Sequence, residues 1–286
     1  MRCCCAEGVE TRDCIRVPSD TCALEELVVP YAVGGGVRDR LLLGETWSRR
    51  WSVTWRLHGG EVVWAVRDVA GVPLLSSEPV RRFSWRAGQR HRPGLQFMVS
   101  TGRHHGFESL EEQRLLLALD FVTVVEVLPQ PFLLSFEHAG GRGSHTPDFL
   151  AVMPSGGLWL FDVRPRQLVH ESDELKFAAA AEMAAACGWH YTVVSGWQPH
   201  VQSTLDQLSA QRRPLEDPLA LQGQLETAVD RCPGIVFGDL VDGTSLPAVA
   251  RAHALHLLWH RRLAVDLGRP LGDGSPVWEG RSEASL

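Results

Sequence analysis

The sequence predicts an α/β sandwich around one mixed central sheet, followed by a smaller winged-helix module. Three observations lead there. Between Ser109 and Val194 the hydrophobic pattern runs helix, several strands, helix, strand, the order of a layered α/β domain. After Trp197 the composition shifts to glutamine, proline and acid. Beyond that break three helical segments precede a short hairpin, the winged variant of a helix-turn-helix.

Taken in order, residues 1–30 are polar, cysteine-bearing and aperiodic, and are expected to form a variable tail. In the domain assigned to 31–197, Trp51, Val53, Trp55 and Leu57 alternate onto one side of a strand. Gly59-Gly60 turns the chain and 62–66 returns, which predicts an N-terminal β-hairpin. Ser109 opens a helix whose leucines lead to Phe121. Strands are expected at 124–128, 132–136, 148–153 and 158–163. The alanine-rich stretch 173–187 predicts a helix stopped by Gly188, with a strand at 191–194 behind it. Pro199, Pro214 and Pro218 bracket an expected linker, 198–220. In the module at 221–286, helices are predicted over 221–231, around Gly238 and over 247–262. A hairpin of 263–267 and 277–278 then flanks Gly272-Asp273-Gly274.

Composition narrows the partners. A hydrophobic fraction of 44% and a charged fraction of 22% are those of an ordinary soluble chain. No apolar run is long enough to cross a bilayer, and residues 1–8 lack a signal core. A cytoplasmic address with no membrane partner is therefore expected. The seven cysteines, an odd number, fit a reducing compartment. Cys3, Cys4, Cys5, Cys14 and Cys22 match no zinc-ligand spacing. The net charge of −6 excludes a uniformly basic nucleic-acid binder, but phosphate attraction depends on local patches. Arg81, Arg82, Arg86, Arg90 and Arg92 crowd one stretch without an acid, and Phe83 and Trp85 alternate with them, which suits a DNA-facing loop. Arg251, Arg261 and Arg262 are candidate phosphate contacts in the C-terminal module. His253, His256 and His260, at i, i+3 and i+7, are read as a helix face toward DNA or solvent before a metal site. Gly34-Gly35-Gly36 lacks the following Gly-Lys-Ser/Thr of a phosphate loop.

The chemistry concentrates in Thr146-Pro147-Asp148-Phe149, a glycine-bearing turn, and Phe161-Asp162-Val163-Arg164. Side chains alternate along a strand, so Asp162 and Arg164 share a face. If the two segments pair around Ser155-Gly156-Gly157, Asp148 comes opposite that same region. Two carboxylates, the Val163 carbonyl and a cation then meet near one sheet edge. Hard divalent ions take such a set, oxygen donors with only one or two carboxylates and room for phosphate. The bland alternatives are a turn acid at Asp148, an Asp162–Arg164 ion pair, and a capping box for Ser109-x-x-Glu112.

This spacing resembles the PD-(D/E)xK nuclease motif. The wider context is similar to the TnsA-like endonuclease subunits of heteromeric transposases, over about residues 80–280. The likeness rests on Phe107-Glu108-Ser109, Glu112, the leucines of 115–119, Asp120-Phe121, Gln130-Pro131-Phe132, Lys176-Phe177 and Gly188-Trp189-His190-Tyr191. It continues through His256-Leu257-Leu258-Trp259-His260 and Val265-Asp266-Leu267. The resemblance implies a restriction-endonuclease-like fold and Mg2+, with Mn2+ able to substitute. Glu112, Asp148 and Asp162 match the metal-binding acids, and Arg164 stands at the usual lysine. Gln130 and Lys176 are auxiliary candidates. It also implies cleavage of DNA at transposon ends alongside a separate transposase subunit and an AAA-type ATPase regulator. Two alternatives stand beside it, a degenerate nuclease fold that binds DNA or a partner without cutting, and a stand-alone restriction-type nuclease. An arginine guanidinium does not give up its proton, so Arg164 can hold charge but cannot act as a base. Lys176, the only lysine, competes for that role.

Overall fold

The computed structural model describes residues 16–72, 77–81 and 93–281. It is a mixed α/β protein that divides into two compact units, Ala23–Gln198 and the chain up to Cys22 together with Pro199 onward. Among the described residues no helix is long and apolar enough to cross a membrane.

The strands of the first unit are, in chain order, β1 (Val28–Pro30), β2 (Ser52–Leu57), β3 (Gly60–Ala65), β4 (Ser77–Glu78), β5 (Gly94–Met98) and β6 (Arg103–Phe107). They continue as β7 (Glu126–Pro129), β8 (Leu133–His138), β9 (Gly141–His145), β10 (Phe149–Val152), β11 (Leu158–Val163) and β12 (His190–Trp197). Helices α1 (Trp47–Arg50), α2 (Leu110–Phe121) and α3 (Glu171–Ala186) lie between them. Five strands form a mixed sheet in the order β1-β12-β11-β10-β7, parallel only between β11 and β12. A second sheet runs β3-β2-β8-β9, with β4 also on β2, and β5 pairs with β6 alone.

Alternation explains how these layers bury themselves. Leu150 and Leu160, partners across β10 and β11, join a core made by Trp51, Val53, Trp55, Phe132 and Leu134 of the second sheet with α3. The alternate residues, Phe149 and Phe161, are fully buried on the opposite face. Helix α3 contributes Ala178, Ala179, Ala180 and Ala184 to that core, and such small side chains let its backbone lie close to the layers it covers. It ends where Gly188 adopts φ +71°, a left-handed conformation that glycine takes without strain.

The predicted hairpins at 51–66 and 148–163 form, the latter with Phe149 opposite Phe161. The segments read as a tail and as a linker with short helices both carry structure. The tail contributes β1 to the edge of the mixed sheet, because Val28 and Val29 pair with Trp197 and Gly196. The expected linker contains helix α4 (Val201–Ser209), whose Val201, Thr204, Leu205 and Leu208 are buried.

In the second unit α4 is followed by α5 (Leu221–Arg231), α6 (Phe237–Asp242), α7 (Pro247–Trp259) and the paired β13 (Leu263–Ala264) and β14 (Trp278–Glu279). Residues near the chain start join them: Val17 N–H donates to Asp266 (2.9 Å), and Ser19 N–H to the Val265 carbonyl (2.9 Å). The α7 histidines do not form an outward face. His253 and His256 are buried, and His256 and His260 contact the backbone carbonyls of Gln211 (2.8 Å) and Arg212 (3.0 Å). They serve to hold the 211–212 turn against the helix.

Candidate active site

The β10–β11 register ends with Phe149 opposite Phe161, and Asp148 and Asp162 are the residues adjoining that pair in the two segments. One backbone bond lies beyond it and out of that register, from Asp148 N–H to the Phe161 carbonyl (3.0 Å), so that Asp148 and Phe149 both stand against Phe161. Val163 N–H then donates to Asp148 Oδ2 (2.7 Å), which fixes the carboxylate and leaves Oδ1 without a protein donor among the described residues. Pro147 has no N–H to offer the ladder, so pairing lapses there and the side chain of Asp148 takes over the next donor.

Asp162 is only 2% exposed, a position that costs free energy unless its charge is met. Two side chains meet it. His145 Nε2 lies 2.9 Å from both carboxylate oxygens, and the Tyr191 hydroxyl donates to Oδ2 at 2.6 Å. Burial, and then the neighbouring Asp162 carboxylate, push the Tyr191 phenol well above 10.0, so it remains a donor at neutral pH. The ring of Phe177 on α3 stands edge-on to His145, centroids 6.3 Å apart, and ties the helix to this network.

Glu112 forms one half of the capping box that its spacing predicts, with its carboxylate reaching the N–H one residue before the cap. Its Oε1 accepts from Ser109 Oγ (2.8 Å) and its Oε2 from Glu108 N–H (2.7 Å), while Ser109 Oγ accepts from Glu112 N–H (3.2 Å). The cap does not remove it from the site, because its charge is felt at Asp148. Withdrawal from water, then the charges of Asp162 and Glu112, raise the Asp148 carboxyl well above 3.8. Glu112 is itself raised from 4.5, mainly by burial. Arg81 acts in the opposite sense on Glu112, and its guanidinium sits 3.5 Å from Glu108. The start of the arginine-rich stretch therefore lies beside the acids. Arg82, Arg86, Arg90 and Arg92, with Phe83 and Trp85, fall outside the described residues.

The remaining candidates separate. Gln130 belongs to the cluster: its N–H donates to the Asp148 carbonyl (2.8 Å), and its buried Oε1 has no hydrogen-bond partner. It also holds φ +46°, which a side-chain-bearing residue adopts only under tertiary constraint. Arg164 forms no ion pair with Asp162. Its Nε donates to the Leu168 carbonyl (3.0 Å) and its Nη2 faces Asp173 (3.4 Å), while its own N–H still bonds the Val194 carbonyl of β12 (2.9 Å). Lys176 reaches the same Asp173 (3.6 Å). Distant from these in sequence, Arg251 pairs with Asp273 (2.7 Å) and Arg262 with Glu226 (2.7 Å), while Arg261 donates to the Cys22 carbonyl (3.2 Å).

Sequence reasoning missed His145 and Tyr191 as site residues. His145 stands two residues before Pro147 on a glycine-rich strand with no apolar alternation, and Tyr191 looked like one more strand residue. The usable signal was Asp162 itself, since a carboxylate inside an apolar strand demands donors from neighbouring strands.

Among the described residues no three His, Cys, Asp or Glu side chains are already gathered as a metal-ligand set. The donors still fit a hard divalent ion. The free Asp148 oxygen and the unpartnered Gln130 Oε1 are both oxygens, and the charge repulsion raising Asp148 is what a cation relieves. No protein-family model matches the chain, and comparison with curated proteins finds no significant match.

Proposed function

We propose that the unit Ala23–Gln198 is a metal-dependent DNA endonuclease with a restriction-endonuclease-like fold, and that the helices and hairpin after Pro199 form a winged-helix module. The observation that carries this reading is the site around Asp148, whose carboxylate is fixed by Val163 N–H on the strand of buried Asp162, whose carbonyl holds Gln130 with its unpartnered amide oxygen, and whose carboxyl is raised by burial and then by the charges of Asp162 and Glu112. A fold gains nothing from three mutually repelling carboxyl groups unless a cation joins them. Arg81 beside the cluster supports a phosphate-bearing substrate.

Asp148, Asp162 and the Gln130 amide oxygen would hold Mg2+ or Mn2+, with Glu112 contributing charge at the rim and the Val163 carbonyl as a further oxygen. Such an ion, when bound, supplies electrostatic stabilisation of a phosphodiester under attack and acidifies water beside it. His145 and Tyr191 hold the Asp162 carboxylate in one orientation. Arg164 neutralises a non-bridging phosphate oxygen, a task for which its forked guanidinium is better suited than lysine. The resemblance to transposase endonuclease subunits extends this to strand cleavage at transposon ends with a transposase and an ATPase as partners.

One observation favours a second reading, a nuclease fold that binds without cutting. Both Asp162 oxygens already have protein donors, and arginine replaces the motif's lysine. Supercoiled DNA incubated with Mg2+ or Mn2+, with and without a co-expressed transposase, separates the two. The endonuclease nicks the DNA and Asp148→Ala does not. Equal nicking by wild type and variant refutes the site, and the absence of nicking under all conditions leaves the binding module.

A further inference from the structure

Arg164 and Lys176 were rivals for a single role, yet both end on one carboxylate. Asp173 Oδ2 lies 3.4 Å from Arg164 Nη2, and its Oδ1 lies 3.6 Å from Lys176 Nζ. These are loose pairs, well beyond the ~2.7–2.9 Å of a tight charge-assisted hydrogen bond. The cationic side chains are 41% and 39% exposed and the carboxylate 17%, so solvent reaches the cations and the acid sits behind them. Both are anchored close to the acidic cluster. Arg164 follows Val163, whose N–H holds Asp148, and Lys176 precedes Phe177, whose ring stands against His145.

We propose that Arg164 and Lys176 form one two-pronged clamp for phosphate oxygens, kept assembled by Asp173, whose carboxylate the incoming phosphate replaces. Two cations converging on one carboxylate would repel each other without it, and Asp173 offsets that repulsion. A phosphate brings more charge and more acceptor oxygens than a carboxylate, and guanidinium binds it in a forked geometry. Because the existing pairs are long and half-solvated, exchange sacrifices little. Asp173 is thus a positioning residue. The inference rests on the phosphodiester substrate proposed above.

Asp173 has a second duty, accepting the His170 N–H (3.2 Å) at the start of α3, which dictates the choice of variant. Asp173→Asn retains an acceptor for that cap and deletes the charge. Its affinity for a fluorescent DNA duplex in EDTA should rise about three- to tenfold at low salt, with a salt dependence steeper by about one counterion. Adding Lys176→Ala should abolish the gain. Under cleavage conditions with Mn2+ the same variant should show a lower KM and a lower kcat, because the cations are freer but no longer aligned. A purely structural role would lower the melting temperature and leave the salt dependence alone. Unchanged or weaker duplex affinity in a normally folded Asp173→Asn overturns the clamp. Wild-type binding without cleavage removes the nuclease reading only, and the affinity comparison still decides the clamp. If neither protein binds DNA, thermal stabilisation by inorganic pyrophosphate decides. A larger shift in Asp173→Asn than in wild type retains the clamp without DNA, and equal shifts overturn it.

Discussion

Around the edge of the mixed sheet, Asp148 is raised by burial and then by two neighbouring acids, Gln130 Oε1 is buried without a partner, and two cations share one carboxylate. The second unit handles charge differently. Arg251 has Asp273, Arg262 has Glu226 and Gln222, and Arg269 has Asp266. Both units hold buried titratable groups, so burial alone does not distinguish them. What differs is whether the chain supplies the counter-charge. These three arginines of the second unit have their counter-charge within it, whereas the acids at the sheet edge leave a deficit that an ion and a phosphate together would fill.

The sharpest way to break this contrast compares the two aspartates. Asp148→Asn and Asp162→Ala should each reduce metal-dependent cleavage by about 100-fold or more. Their stabilities without metal should diverge. Asp148→Asn relieves repulsion and should raise the melting temperature, whereas Asp162→Ala leaves His145 and Tyr191 unpaired and should cost about 1–3 kcal/mol. Destabilisation by both variants in EDTA would mean that Asp148 is a structural acid.

Arg164 comes next in size. If its role is charge, Arg164→Ala should lose cleavage by at least about tenfold while Arg164→Lys keeps a substantial part. A dead Arg164→Lys beside an active Arg164→Ala would reverse the assignment. Smaller still is the effect expected in the matched unit. Arg262→Ala should change duplex affinity less than about threefold and stability by at most ~1 kcal/mol, the range of exposed ion pairs. A loss as large as that of Arg164→Ala would show that the second unit carries the DNA.

The smallest effect concerns His105, which is 3% exposed and contacts Thr101 Oγ1 at 2.7 Å. Burial, the leading cause, lowers it from 6.5, so between that value and its lower folded one the unfolded chain binds the extra proton. Its contribution to stability is present above 6.5 and is lost as pH falls through the folded value. Melting temperatures between pH 7 and pH 5 should therefore decline less steeply in His105→Gln. Equal slopes would remove His105 from the acid sensitivity of this fold.

Much of the scaffold could be read from the chain because periodicity and punctuation agreed. Trp51, Val53 and Trp55 alternate, Ser109 and Glu112 cap α2, and Gly188 ends α3. The second sheet's β8–β9 hairpin could not be read that way. Its Gly141-Arg142-Gly143 lacks apolar alternation, and the reason lies in packing: a Cβ on Gly143 would stand 2.5 Å from the Phe136 ring. That unseen strand carries His145, so the site's network was hidden with it. The acids were visible as a motif, but their partners depended on register between distant segments, as with Tyr191 on β12. Arg164 was expected on the face of Asp162, and its side chain reaches Asp173 on α3, the helix that packs on that face, without pairing with Asp162 itself.

The bonds of Val17 and Ser19 with residues 265–267 join positions 249 apart in one case. A chain made from its N-terminus therefore carries the first strand-like piece of the second unit long before the rest of that unit exists. The intervening unit, with all its strands already available, can fold in the meantime and hold the waiting ends. Closing so long a loop in an unfolded chain is entropically unfavourable, though the penalty grows only as about (3/2)RT ln n. Prior folding of residues 23–198 shortens the effective loop to the separation between two anchored points. Assembly of the second unit thus waits until residues 265–267 have been made, and a segment excised from Leu221 onward lacks both its early piece and α4.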